Sequence, residues 1–286
     1  MATSEELFGD DSKYVTCSSD VNGAVPVPDS FKYTAVNVAG PGLQQDPSEI
    51  VYSGCDCTLP SCGQHCPCIQ MFGPSYTEDA KLVTSSSQTL PSTDNDIITK
   101  PVLECSASCQ CSSECINRVV QNGPRFQLQV FNTTTKGWGL RAVEKIPKNT
   151  FVCEYAGEIL TDKEAKKRTD ALTGDDMNYI LVVKENISDE KVIRTNIDPA
   201  IIGNVGRFIN HSCNPNLFQV VVRIENEIPR VGLFAVRDIE ALEELSYSYW
   251  GDTKQGQLDG MGRLHKPCYC EGPNCSGFLP IDASLF

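Results

Sequence analysis

Nine cysteines lie in two short runs, Cys55, Cys57, Cys62, Cys66 and Cys68 in "CDCTLPSCGQHCPC", and Cys105, Cys109, Cys111 and Cys115 in "CSASCQCSSEC". No other feature restricts the fold as strongly. The opening "MATSEELFGDDSKYV" carries neither a basic n-region nor an apolar h-region, so reduced thiols and bound metal are expected rather than a disulfide framework. Zinc prefers tetrahedral thiolate sites with four ligands each. Nine thiolates therefore saturate three ions if three of them bridge, which is the arithmetic of a triangular cluster. Two separate four-cysteine sites with one thiol left over is the other arrangement the count allows. The C-x-C pairs that recur in both runs favour the cluster. His65 sits inside the first run, but the thiols suffice without it and it reads as a surface residue.

A second metal set is written in the tail. "CYCEGPNC" supplies Cys268, Cys270 and Cys275, one ligand short of a tetrahedral zinc site. Cys213, within "RFINHSCNPN" at residues 207–216, can complete it and would tie a mid-chain loop to the C-terminal tail. Of the 15 cysteines, Cys17 and Cys153 then remain as ordinary thiols. The chain has 286 residues, 40% of them hydrophobic, enough to bury a sizeable core. No apolar run approaches the roughly 18 residues of a membrane span. A formal charge of −13 argues against a sequence-independent grip on nucleic-acid phosphates and suits a basic partner.

The rest of the pattern is mainly β. After Cys115 short runs rich in Val, Ile, Phe and Tyr alternate with Gly, Pro and Asn: "FQLQVF", "TFVCEYAGEIL", "NYILVV", "KVIRTNI", "LFQVVVRI" and "VGLFAV", each reading as a short strand. One helix is expected at "DKEAKKRTDAL", with Thr161 as its cap, Glu164 completing a capping box, and its charges forming a solvated face. Residues 1–50 read as a partly ordered lead-in, and "TSSSQTLPSTDND" has the composition of a mobile loop.

Taken together, the nine-cysteine block, "KGWGLRA", "VCEYAGEIL", "GRFINHSCNPN", "EELSYSY" and "CYCEGPNC" resemble, in order, the pre-SET, SET and post-SET segments of protein lysine methyltransferases of the SUV39 class. The resemblance implies a mainly β SET domain of small twisted sheets with a threaded, pseudoknot-like C-terminal segment. It implies the boundaries 1–50 for the lead-in, 51–119 for the three-zinc pre-SET cluster, 120–250 for the SET catalytic domain and 264–280 for the post-SET zinc segment. It implies S-adenosylmethionine as methyl donor and a lysine of histone H3, lysine-36 or lysine-9, as acceptor, with chromatin as partner and the nucleus and chromosome as location. Direct nucleic-acid binding and membrane association are not expected.

By the same resemblance Lys136, Gly137, Trp138, Tyr179, Arg207, Asn210 and His211 border the cofactor, and Phe278 in the tail covers its adenine. Tyr155, Tyr247 and Tyr249 occupy the lysine-channel positions, with Tyr249 beside the transferring methyl. In this family the aromatic residue two before that tyrosine, here Tyr247, sets the room for successive methyl groups, so mono- and dimethyl products are expected. Ser248 departs from the Asp that many relatives carry. Two functions of different class follow from the motifs: an active methyltransferase, or a catalytically inactive, zinc-stabilised histone-binding or scaffold module. The intact Asn210, His211, Tyr249 and tail cysteines favour the enzyme.

Overall fold

The computed structural model describes residues 7–18, 27–58, 61–83, 101–173, 176–188, 191–249 and 266–280. Among them the chain forms four small sheets and few helices. Three strands, Val15–Cys17, Leu128–Asn132 and Trp138–Ala142, make the first sheet, with the middle strand parallel to the first and antiparallel to the third. The second sheet is ordered Lys32–Tyr33, Lys191–Gly203, Gly157–Leu160, Val38–Ala39, and Leu181–Ser188 also pairs with Lys191–Gly203. The third runs Val102–Leu103, Leu217–Arg223, Arg230–Ala235, Phe151–Tyr155. The last contains only Asn210–His211 and Ser246–Tyr247, paired in parallel.

These sheets close on one apolar core, in which Leu128, Leu140, Ile146, Ile197, Leu217, Leu233, Ile239 and Leu245 are all fully buried. The expected β runs all fall on strands, with ends shifted by a few residues. The "KGWGLRA" motif forms a turn that leads directly into the Trp138–Ala142 strand. Cys153 is buried in the core, Cys17 is half-buried on its edge, and His65 is exposed. The expected mobile loop at 84–96 lies outside the described residues.

The helix Asp162–Ala171 is capped as expected, with the Thr161 hydroxyl accepting from the Glu164 amide at 3.2 Å, while the Glu164 carboxylate accepts from Lys167 and Arg168. Its charges are not simply a solvated face, however. Arg168 reaches the neighbouring sheet and donates to Glu158 and Asp198, both at 2.8 Å, because those two strands place carboxylates side by side where the helix crosses. The lead-in also differs from expectation. Its described part supplies the strands Lys32–Tyr33 and Val38–Ala39 to the second sheet, and Asn37, which is buried, accepts from the Gly157 amide at 3.1 Å. Short strands of this kind carry no periodicity of their own and form only because a longer strand offers them an edge.

A second apolar group joins the cysteine-rich segment to the third sheet: Tyr76, Val102, Val119 and Val120 pack with Phe151, Val220, Val222 and Phe234. At this junction the buried Glu104 accepts from the backbone amides of Val119 (3.0 Å), Val120 (2.7 Å) and Gln121 (3.2 Å), from the Gln121 side chain (2.9 Å) and from the Tyr76 hydroxyl (2.7 Å).

Candidate active site

The cysteines assemble as their spacing implies. Cys55, Cys62, Cys66, Cys68, Cys105, Cys109, Cys111 and Cys115 are buried and Cys57 is half-buried, all in one group. Within it three overlapping foursomes, Cys55/Cys66/Cys68/Cys105, Cys55/Cys57/Cys62/Cys66 and Cys55/Cys62/Cys105/Cys111, keep their sulfurs within 4.8 Å of one another. Cys55 belongs to all three foursomes and Cys62, Cys66 and Cys105 to two each, so a thiolate here lies within reach of more than one ion. The sulfur–sulfur distances agree with metal stereochemistry: Cys55–Cys62, Cys62–Cys105 and Cys68–Cys109 are each 3.7 Å, against about 3.8 Å for the edge of a tetrahedron with Zn–S bonds of about 2.3 Å. Donors surround the cluster, as second-shell groups of thiolate sites do: Asn117 Nδ2 lies 3.4 Å from the Cys105 sulfur and Arg118 Nη2 lies 3.5 Å from that of Cys111.

The tail site is equally distinct. Cys213, Cys268, Cys270 and Cys275 form a fourth foursome, with Cys213 and Cys268 sulfurs 3.9 Å apart. Both cysteine groups fit zinc.

Around Cys213 the chain crosses itself. Asn210–His211 runs beside Ser246–Tyr247 in register Asn210↔Ser246 and His211↔Tyr247, the threaded arrangement that the resemblance implies. Asn216 fastens the crossing: its side chain donates to Glu243 Oε1 and to the Glu244 carbonyl, both at 2.8 Å, and accepts from the Ser246 amide at 2.8 Å. An amide is suited to this place because it donates and accepts at once. The last Asn of "NHSCNPN" is therefore a clasp on the crossing.

The glycine turn meets the crossing on its other side. Gly137 has φ +70° with open space where a Cβ would stand, whereas a Cβ on Gly139 would come within 2.8 Å of Thr133 and 3.3 Å of the Asn210 side chain. Gly137 is thus required by its backbone conformation, and Gly139 by close packing against the protein itself. Lys136 Nζ donates to Glu244 Oε2 at 2.6 Å, while Asn210 Nδ2 donates to Glu244 Oε1 at 3.1 Å and to the Trp138 carbonyl at 3.0 Å. Glu244, which the motifs did not single out, holds the two expected cofactor segments together. Its only signal was its place at the head of "ELSYSY".

Three tyrosines stand against this frame. The rings of Tyr247 and Tyr249 are 4.9 Å apart, those of Tyr155 and Tyr247 5.9 Å, and His211 is 5.4 Å from Tyr249. Tyr249 donates its hydroxyl to the Ile209 carbonyl at 2.8 Å, and its amide to His211 Nδ1 at 3.1 Å. That second bond leaves His211 Nε2 as the protonated nitrogen, 3.3 Å from the Cys213 sulfur. The histidine therefore links Cys213 of the tail foursome to the backbone of Tyr249. Burial, and then the Lys136 ammonium, pull the imidazole down to about 4, so it is neutral at physiological pH. Burial also pushes the Tyr155, Tyr247 and Tyr249 phenols above their ordinary range, so all three keep their protons.

Tyr155 donates to the Tyr179 carbonyl at 2.6 Å, and the Tyr179 ring centroid lies 4.6 Å from the Arg207 guanidinium. Lys136, Gly137, Trp138, Asn210, His211, Tyr249, Tyr247, Tyr155, Tyr179 and Arg207 are thereby brought into one connected set. Phe278 stands on the tail, exposed, in a bridge with Pro267. Two cations, buried aromatic rings and a glycine turn with open space beside it form a donor set that fits a cofactor carrying a carboxylate, a purine and a sulfonium.

Comparison with known proteins agrees with this geometry. The Pre-SET motif model matches residues 8–118 and the SET domain model matches residues 137–250. Together they cover most of the chain. The chain belongs to the SET-domain family of histone-lysine N-methyltransferases. The Bos taurus histone-lysine N-methyltransferase SETMAR is 46% identical over 272 residues, 92% of this chain and 85% of that protein. The crystal structure of the methyltransferase domain of human SETMAR superposes with a TM-score of 0.78 at 42% identity, covering 94% of each chain. KRYPTONITE, crystallised with mCHH DNA, an H3(1–15) peptide and SAH, gives a TM-score of 0.69 at 29% identity over 93% of this chain and 51% of that one. The SUV39-class resemblance is confirmed, and this SET-family chain is a methyltransferase. No helix among its described residues is long and apolar enough to cross a membrane.

Proposed function

We propose that this chain transfers methyl groups from S-adenosylmethionine to the ε-amine of lysine-9 or lysine-36 of the histone H3 tail, with mono- and dimethyl-lysine as the main products, on chromatin in the nucleus. One observation carries the reading: Tyr155, Tyr247 and Tyr249 pack ring to ring directly beside the Asn210–His211 crossing. Lys136, Gly137, Trp138, Tyr179, Arg207, Asn210 and His211 would hold the cofactor, with Phe278 over its adenine. Bound there, S-adenosylmethionine supplies an electrophilic methyl on a sulfonium. Cys55, Cys57, Cys62, Cys66, Cys68, Cys105, Cys109, Cys111 and Cys115 would hold three zinc ions, and Cys213, Cys268, Cys270 and Cys275 one.

A lysine amine with pKa about 10.4 is ionised at neutral pH, and exposing its lone pair costs about 4–5 kcal/mol. The tyrosine walls lower that cost by excluding water, which disfavours the ammonium form. Because the phenols stay protonated, none of the described residues beside them is placed as a strong base; the proton leaves to water before the amine is aligned. Tyr249, oriented through both its amide and its hydroxyl, fixes the wall nearest the reacting nitrogen, and such alignment is worth several kcal/mol. Aromatic faces also suit the methylated cationic product. The chain's net charge of −13 complements a basic tail.

KRYPTONITE's H3 peptide and SAH support both the acceptor class and the cofactor. Incubating the full chain with S-adenosylmethionine and a panel of histone peptides, then mapping products by mass spectrometry, tests the reading. Methylation confined to H3 lysine-9 or lysine-36 is expected. Cofactor binding by calorimetry without methylation of any peptide would favour the binding-module alternative.

A further inference from the structure

We propose that Phe31, far upstream on the N-terminal segment, is a positioning residue for the cofactor side of the site, acting through Arg207. The inference rests on the proposed cofactor reading and adds a residue that none of the recognisable motifs contains. Arg207 is 7% exposed; its Nε donates to the Pro199 carbonyl at 3.1 Å. Three ring centroids lie around its guanidinium carbon, Tyr179 at 4.6 Å, Phe31 at 5.0 Å and Phe208 at 5.2 Å. A guanidinium removed from water gains most from ring faces where it is least hydrated. Phe208 and Tyr179 come from the site's own segments. Phe31 arrives from the lead-in.

The structure around Phe31 is built to deliver it there. Lys32 and Tyr33 pair in parallel with Ile202 and Gly203, and the Thr34 amide donates to the Gly203 carbonyl at 3.0 Å. The Phe31 amide closes a turn onto the Pro28 carbonyl at 2.8 Å. Tyr33 donates its hydroxyl to the Asp11 carboxylate and packs on the main core. The strand register therefore places Phe31 beside the Val205–Phe208 turn that leads into Asn210–His211. Its ring would limit the orientations open to Arg207. Through Arg207 it would steady Tyr179, whose carbonyl holds the Tyr155 hydroxyl.

The test is calorimetric titration of the full chain with S-adenosylmethionine, together with steady-state kinetics on a histone peptide that the unmodified chain methylates. Phe31→Ala should weaken cofactor affinity on the order of tenfold and raise the KM for S-adenosylmethionine by a similar factor, with kcat changed by less than about twofold. Phe31→Tyr and Phe31→Trp should restore affinity, and Lys32→Ala, an exposed neighbour on the same strand, should behave as the unmodified chain. Phe31→Leu keeps an apolar side chain without a ring, so it reads the same loss if the alanine variant does not fold. Affinity in Phe31→Leu equal to that of Phe31→Trp, or a fall in kcat alone, would overturn the positioning role. Failure of the unmodified chain to bind S-adenosylmethionine would overturn instead the cofactor reading on which it rests.

Discussion

Replacing Glu104 by Gln probes how the cysteine-rich segment is held to the catalytic sheets. In the native chain Glu104 Oε1 accepts from Tyr76, Val119 and Val120, and Oε2 from the backbone and side chain of Gln121, at 1% exposure. Its own amide donates to the Arg223 carbonyl at 2.9 Å, so the residue ties the loop after Cys115 to the third sheet while standing next to Cys105. An amide can keep the three bonds at one oxygen, but its NH2 then faces the two Gln121 donors. Two charge-assisted bonds of about 1.5–3 kcal/mol each are lost. Removing a buried charge returns part of that as relieved desolvation. A net loss of about 2–4 kcal/mol follows, which at about 2–4 °C per kcal/mol lowers the unfolding midpoint by roughly 4–16 °C. Differential scanning calorimetry of the zinc-loaded protein measures it, with elemental analysis expected to show unchanged zinc. A midpoint within about 2 °C of the unmodified chain would refute the reasoning, because the two Gln121 donors cannot lose their acceptor at Oε2 so cheaply.

Zinc content provides the next check: about four ions per chain are expected, and strong chelation should abolish cooperative unfolding, since structural thiolate zinc contributes on the order of 10 kcal/mol or more. Cys270→Ser should release one ion and remove activity while the nine-cysteine block stays metallated; unchanged turnover would detach the tail from the site. Tyr247→Phe should shift products toward trimethyl-lysine, because the hydroxyl at the Tyr155–Tyr247 contact occupies room beside the amine, whereas Tyr249→Phe should lower turnover at every methylation state by freeing the ring from the Ile209 carbonyl. Abundant trimethyl-lysine from the unmodified chain would remove the first of these. The rate at subsaturating peptide should rise about tenfold per pH unit from pH 7 to 9 as the substrate amine deprotonates. No tyrosine inflection should appear in that range, because burial moves the Tyr155, Tyr247 and Tyr249 phenols up and keeps them neutral. Acidification acts on stability instead: burial raises the Glu243 carboxyl, but the Arg237 and Asn216 donors outweigh it and hold the group below its ordinary value. The stabilisation from Glu243 is therefore present above about pH 4.5 and is lost as pH falls through the lower folded value, and Glu243→Gln should flatten that part of the acid-unfolding curve.

Chemistry that depends on neighbours in the chain was readable from the residues alone. Cysteines a few positions apart can meet only in a small number of ways, so Cys55 to Cys68 and Cys105 to Cys115 pointed to one thiol group, and the three-thiol tail pointed to a fourth partner, whose place Cys213 takes in the folded chain. The Thr161 cap and the alternating strands are local for the same reason. What the tertiary structure alone decided are pairings between distant segments in which each partner looks ordinary by itself. Glu104 is a lone carboxylate and Glu244 one of an acidic run until folding buries the first and half-buries the second among donors; Asn216 looks like an ordinary loop amide until the chain crosses beside it. Arg168 belongs to a charged helix until the sheet brings Glu158 and Asp198 under it, and Phe31 sits in an unpatterned lead-in until Lys32 and Tyr33 find the edge at Ile202 and Gly203. A hydrogen bond or ring contact depends on where atoms end up in space, and for residues brought together from so far along the chain that position is set by the packed core rather than by sequence neighbours.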